Sequence, residues 1–168
     1  MRGQTGGLRT GLLVALVVLA LDQATKAVAL ALLGGRPPVE VTGFFNLVLV
    51  WNPGVSFGML QGLGDLGPWL LTAFGLAVCL ALGFWLARET RGLTRLALGL
   101  VLGGAIGNIV DRLRFGAVID FLDFHAFGYH WPAFNVSDSA IVVGAALLVL
   151  DGLRSDRTAT GQMRGQVR

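Results

Sequence analysis

The chain has 168 residues, a domain's worth, yet 54% of them are hydrophobic and only 14% are charged, against roughly 25% charged in soluble chains. A soluble protein this small cannot hide so much apolar surface, and the mean hydropathy of +0.71 agrees. A cytosolic enzyme, a nucleic-acid module and a disordered regulator are excluded. The net charge of +3 carries topology rather than nucleic-acid affinity, because the basic residues sit in short flanks between apolar runs.

Four stretches are long enough to cross a hydrocarbon core, which takes about 20 helical residues. They cover residues 12–33, 69–87, 92–111 and 134–153. The fold class expected is therefore an all-α membrane protein of four transmembrane helices. Between the first two spans, Val39–Glu40–Val41–Thr42 and Asn46–Val50 are β-prone, and Asn52–Pro53–Gly54 signals a turn. This predicts a small sheet and an interfacial segment outside the cytoplasm. Residues 112–133 read as an outward loop, and residues 154–168 as a polar, disordered cytoplasmic tail. The whole is one membrane domain. Lone Cys79 lies in an apolar run and can form no intrachain disulfide.

Lys/Arg placement sets the orientation. Arg2 and Arg9 precede the first span, Arg88, Arg91 and Arg95 lie between the second and third, and Arg154, Arg157, Arg164 and Arg168 fill the tail. Opposite them are only Arg36, Arg112 and Arg114. The positive-inside rule puts both termini in the cytoplasm. A cleavable N-terminal leader is a competing reading, but Asp22 and Lys26 have a role only if the first span is retained.

Ionisable and amide residues inside lipid are costly unless they face protein or water. Asp22 and Lys26, at i and i+4, can pair as a structural clamp or support a polar site. Gly99, Gly103 and Gly107 form a small-residue face for close helix packing. Packing explains Asn108, Asp111 and Arg112 poorly, since an amide, an acid and a base gather at one depth. Asp120 lies among apolar residues in the outward loop, and Asp138 opens the fourth span. Asn135 can cap that helix with Asp138 at its third position, a purely structural alternative. Both acids fall near the outer interface, and two carboxylates in one apolar site do not both ionise easily. One then activates water while the other, protonated, polarises a carbonyl. His125 and His130, near Tyr129 and Trp131, read as an interfacial aromatic belt, with metal binding the lesser alternative.

These motifs resemble lipoprotein signal peptidase, or signal peptidase II, the bacterial inner-membrane aspartic protease family. The similar blocks are Asp22-Gln-Ala-Thr-Lys26, Asn52-Pro-Gly54-Val-Ser-Phe57-Gly58, Gly107-Asn108-Ile-Val-Asp111-Arg112 with Gly116-Ala-Val118-Ile-Asp120-Phe121, and Phe134-Asn135-Val-Ser-Asp138. They occur in the family's order. Val55 and Ser137 depart from it, where smaller residues (alanine in the second case) are usual, and Ser137 is placed to alter hydrogen bonding at the acid pair. The resemblance implies that Asp120 and Asp138 are catalytic. It implies that Asn52, Gly54, Asn108, Arg112 and Asn135 form their polar surround, supported by Asp22, Lys26 and Asp111. It further implies a diacylglyceryl-modified prolipoprotein as substrate, cut just before the lipidated cysteine, and inhibition by globomycin. No metal or other cofactor is implied, nor any nucleic-acid partner; the chain is expected to act as a monomer among membrane lipids, with its active site near the outer interface. Within the pair, the start of the fourth helix favours a charged Asp138 and leaves the proton to Asp120. A non-proteolytic, ion-coupled transporter is the alternative function, since intramembrane Asp and Lys also mark ion paths.

Overall fold

The computed structural model describes the backbone of residues 2–54 and 66–165, and the side chains of residues 8–54 and 66–154. Val55, Ser56, Phe57 and Gly58 of the second motif lie outside the described residues.

Four helices are long and apolar enough to cross a membrane. They are α1 (Arg2–Leu33), α2 (Leu66–Arg88), α3 (Gly92–Phe115) and α4 (Val136–Gly165). The strands β1 (Val39–Thr42) and β2 (Phe45–Asn52) follow α1, and β3 (Val118–Ala126) and β4 (Tyr129–His130) lie between α3 and α4. The four strands form one antiparallel sheet in chain order.

α3 is the central helix. Of its spanning segment 56% is buried, against 11% for α2, so α2 faces lipid and α3 faces protein. Small residues make this possible. A Cβ on Gly99 would meet Gly11 O and Val14, and one on Gly103 would meet Ala15 O and Val18, so this face lies against α1. On the adjoining stripe, Gly104 lies against Ser137 and Ile141 of α4. Gly144 of α4 returns the contact onto Ala97, Leu100 and Val101. At the far end of this antiparallel pair, Asp151 accepts hydrogen bonds from Thr94 Oγ1 (2.5 Å) and pairs with Arg91 (3.0 Å). The C-terminus of α3 and the N-terminus of α4 are thereby held at one height.

Two expectations change. The region 112–133 is not a loop: α3 runs on to Phe115, and β3 and β4 follow. Gly116 (φ 71°) ends α3 in the left-handed conformation, its N–H donating to Arg112 O at 2.9 Å, and turns the chain into β3. Asp120 and Asp123, three apart, broke the polar–apolar alternation by which a strand is recognised, because β3 is buried on both faces at its start. The disordered tail also differs, since α4 continues as helix to Gly165. Polarity decides which helical residues meet lipid, but it does not stop a helix that lacks proline.

The sheet packs on the end of α1. Phe121 joins Ala29 and Leu33 in an apolar cluster with Leu47, Leu49, Leu122 and Val136. Between β2 and β3 the register shifts between Leu47↔Leu122 and Val50↔Asp120, a bulge. It leaves Asn52 diagonally across from Asp120, within reach of its carboxylate.

Candidate active site

A cavity of about 620 Å³ opens where α3, β3 and α4 meet. Both sequence-selected acids line it, together with Asn52, Gly54, Asn108 and Arg112. Asp120 enters from β3 and Asp138 from the first turn of α4. Asp120 is 1% exposed.

Three asparagines bind this pair, and the orientation of each amide is forced. Asn108 Oδ1 accepts from Lys26 Nζ (3.1 Å), a group that only donates, so its Nδ2 donates to Asp138 Oδ1 (2.9 Å). Asn135 Oδ1 accepts from the Asp138 backbone N–H (2.9 Å), so its Nδ2 donates to Asp120 Oδ1 (2.8 Å). Asn52 Oδ1 accepts from the Gly54 backbone N–H (3.2 Å), so its Nδ2 donates to Asp120 Oδ2 (3.0 Å). The fourth carboxylate oxygen, Asp138 Oδ2, accepts from the Asn135 backbone N–H (3.2 Å). Each oxygen of the pair therefore has one fixed N–H donor.

Asp120 is pushed up to about 6 from the ordinary 3.8. Burial is the main cause; the hydrogen bond from Asn52 opposes it, the negative charge of Asp138 adds to it, and the Asn135 hydrogen bond opposes it. An acid in this state exchanges its proton near neutral pH.

Behind the asparagines lies a buried ionic cluster. Lys26 Nζ pairs with Asp22 Oδ2 (2.8 Å) and Asp111 Oδ2 (2.7 Å). The same ammonium ties α1 to α3 through Asp111 and donates to Asn108 Oδ1. Cutting α1 away would strip Asp111 of its cation, so this helix is part of the packed core. Asp22 Oδ1 accepts from the Ser137 backbone N–H (2.9 Å), and Asp111 Oδ2 from the Ile119 N–H (3.2 Å). Each tethers an element that bears one of the two acids.

Gln23 was missed in the sequence. Its Nε2 donates to Asp111 Oδ1 (3.0 Å), Asp22 Oδ2 (3.2 Å) and Gly107 O (3.4 Å). Its signal was present: an amide within an apolar span is costly unless it finds hydrogen-bond partners. The Ser137 hydroxyl is buried without a partner among the described residues, so it does not bond to the acid pair. The capping reading of Asn135 is correct; the side chain is fully buried behind the cavity wall, where the same amide also bonds Asp120. His125 and His130 lie outside the cavity, their rings stacked at 4.8 Å, with His130 Nδ1 2.9 Å from both oxygens of Asp123.

Residues 14–154 match the family model described as "Signal peptidase (SPase) II". The chain belongs to the signal peptidase II family. It is similar to the lipoprotein signal peptidase of Paraburkholderia phytofirmans (strain PsJN), at 48% identity over 153 residues, covering 90% of this chain and 89% of the relative. It is similar also to that of Methylobacterium sp. (strain 4-46), at 46% over 156 residues, covering 92% and 94%. Two solved structures titled as bacterial membrane enzymes share the fold. One, at 2.3 Å resolution, has a TM-score of 0.76 at 29% identity and covers 88% of this chain and 89% of its own. The other, at 1.9 Å, has 0.74 at 30% and covers 86% and 92%. Membership of the signal peptidase II family makes the chain a multi-pass membrane peptidase and leaves the transporter reading without support.

Proposed function

We propose that this signal peptidase II family member cleaves by an aspartate pair, Asp120 and Asp138. It removes signal peptides from lipoproteins, and the finer reading is a cut just before a diacylglyceryl-modified cysteine. The observation that carries the pair is the single cavity both acids line, with Asn135 bonded to each of them.

The chemistry follows from the site. Charged Asp138, at the positive end of α4, takes a proton from water as the oxygen attacks the scissile carbonyl. Protonated Asp120 gives its proton to the carbonyl oxygen, forming a neutral tetrahedral diol. Collapse breaks the C–N bond, and the proton held by Asp138 goes to the leaving amine. One diol hydroxyl returns its proton to Asp120 as the acid product forms. Arg112 lines the same cavity, and its Nε has no hydrogen-bond partner among the described residues. The Arg112 side chain at the cavity wall is the cation that would meet a substrate carbonyl.

The cavity also has an apolar side suited to a lipid-bearing substrate. Val142 and Val143 of α4 and Trp131 line it and are all exposed. A substrate anchored by acyl chains then reaches the acids laterally, from the bilayer. By the charge rule the cavity lies at the outer interface, with both termini and the 154–168 tail cytoplasmic. The chain works as one membrane domain, as a monomer.

The test uses purified protein in detergent with a diacylglyceryl-modified prolipoprotein. Cleavage before the modified cysteine, blocked by globomycin, is expected. Asp120→Asn and Asp138→Asn should each lower kcat by at least about 1,000-fold. Retention of about a tenth of the activity by either variant would overturn the assignment.

A further inference from the structure

We propose that the β3–β4 hairpin is a membrane anchor whose tip, Phe127–Gly128, inserts at the headgroup–acyl boundary of the leaflet nearest the cavity. From Phe124 to Asn135, outside the spans, the chain has no Asp, Glu, Lys or Arg. In the same stretch are Phe124, Phe127, Tyr129, Trp131 and Phe134. Aromatic residues without full charges are the composition of the interfacial belt.

The turn itself is unfavourable in water. Ala126 pairs with Tyr129, so the loop has two residues, and both have positive φ: 53° at Phe127 and 80° at Gly128. This is the type I′ pattern, for which Asn-Gly or Gly-Gly is preferred. Phe127 is the one non-glycine residue with positive φ among the described residues. It holds a conformation costly for a bulky side chain, yet contributes no packing, being fully exposed at 109% of its reference area. An apolar environment outside the protein compensates both costs, and a bilayer boundary supplies it.

Lipid is favoured over a protein partner by continuity. Trp131 directly follows β4, and its N–H donates to Phe124 O at 2.8 Å, fastening the hairpin base. The same Trp131 shares the cavity with Val142 and Val143, which lie in the membrane-spanning part of α4. The hairpin base therefore borders the same cavity as exposed residues of a membrane span, and the tip is four residues from Trp131. The nearest full charge, Asp123, is already held by His130 and by Asn46 Nδ2 (3.0 Å), so lipid contact strands no free carboxylate.

The test is spin-label depth in phosphatidylcholine vesicles, with the full chain and Cys79→Ala as background. Labels go on Phe127→Cys and, as a water-exposed control, on Thr90→Cys between α2 and α3. At 127 the ratio of oxygen to nickel-chelate accessibility should exceed that at 90 by at least about fivefold. Equal ratios would put the tip in water and overturn the proposal. Protection from both reagents would mean that protein, a second copy included, covers it, and would overturn it too. Phe127→Asn suits the turn better and so keeps the fold. Combined with a label on Tyr129→Cys, it should raise nickel-chelate accessibility at least about twofold by lifting the tip from lipid. No change there would also count against the anchor.

Discussion

Asn135 and Asp138 hydrogen-bond one another twice, the backbone N–H of each donating to the side chain of the other at 3.2 and 2.9 Å. This is a reciprocal cap on α4. It also fixes both the Asp138 carboxylate and the Asn135 amide that reaches Asp120, so one motif starts the helix and sets the acid pair.

The two roles separate by substitution. Asn135→Ala loses the cap and the donor to Asp120, and is expected to cost about 1–2 kcal/mol of stability and most of the activity. Asn135→Asp keeps a capping oxygen but faces Asp120 with a third carboxyl group. Its unfolding midpoint in detergent should remain closer to wild type than that of the alanine variant. Its kcat should fall at least about 100-fold. If Asn135→Asp keeps wild-type kcat, the amide is only a cap.

Lys26 reaches Asp138 through one asparagine, and its removal affects two quantities differently. Lys26→Met leaves Asp22 and Asp111 buried beside each other without their cation, expected to cost about 3–5 kcal/mol. Adding Asp111→Asn removes one stranded carboxylate and should recover part of that stability. It should not recover kcat, since Asn108 Oδ1 still lacks the donor that orients its amide. Full recovery of kcat in the double variant would show that Lys26 serves only to neutralise charge.

The raised Asp120 fixes the direction of the pH profile. The pair is active while it holds one proton, and Asp120 releases that proton near pH 6. The kcat/KM for cleavage should therefore fall as pH rises, with its alkaline midpoint near 6. Asn52→Leu removes a hydrogen bond that favours the charged form, so the midpoint should move up by roughly one unit. Stability follows the same proton. The folded state holds it more tightly than the unfolded chain, so stability falls between about pH 4 and pH 6 and is level above. A midpoint that moves down in Asn52→Leu would exclude Asp120 as the titrating acid.

Much of this was legible because lipid makes polar residues conspicuous. Asp22, Lys26, Asn108, Asp111 and Asp138 stand out within apolar spans, where each must be paired, and the structure brings them into one network. The strands around 39–50 were visible from β-branched residues and an adjacent turn signal. β3 was not, because strands buried on both faces lose the two-residue period. The orientation of the three amides was also hidden. It depends on donors brought in from α1, the residue 54 turn and α4, which no local pattern reveals.

The tight contact of α3 with α1 and α4 leads to a packing prediction. A Cβ on Gly107 would collide with Ser137 Oγ and lie 2.6 Å from Asp22 Oδ2, while one on Gly104 would collide with the Ser137 carbonyl oxygen. The first obstacle includes a side chain that can be trimmed, but the second is backbone. Ser137→Ala alone removes a buried hydroxyl that has no partner among the described residues, so it should be neutral or stabilising by up to about 1 kcal/mol. Gly107→Ala and Gly104→Ala should each cost about 1–3 kcal/mol by overpacking. Adding Ser137→Ala should soften the Gly107 change and leave the Gly104 change as it was, read from unfolding midpoints in detergent. Equal rescue of both would mean that α4 shifts as a body, and that the close approach at Gly104 does not fix the height of Asp138.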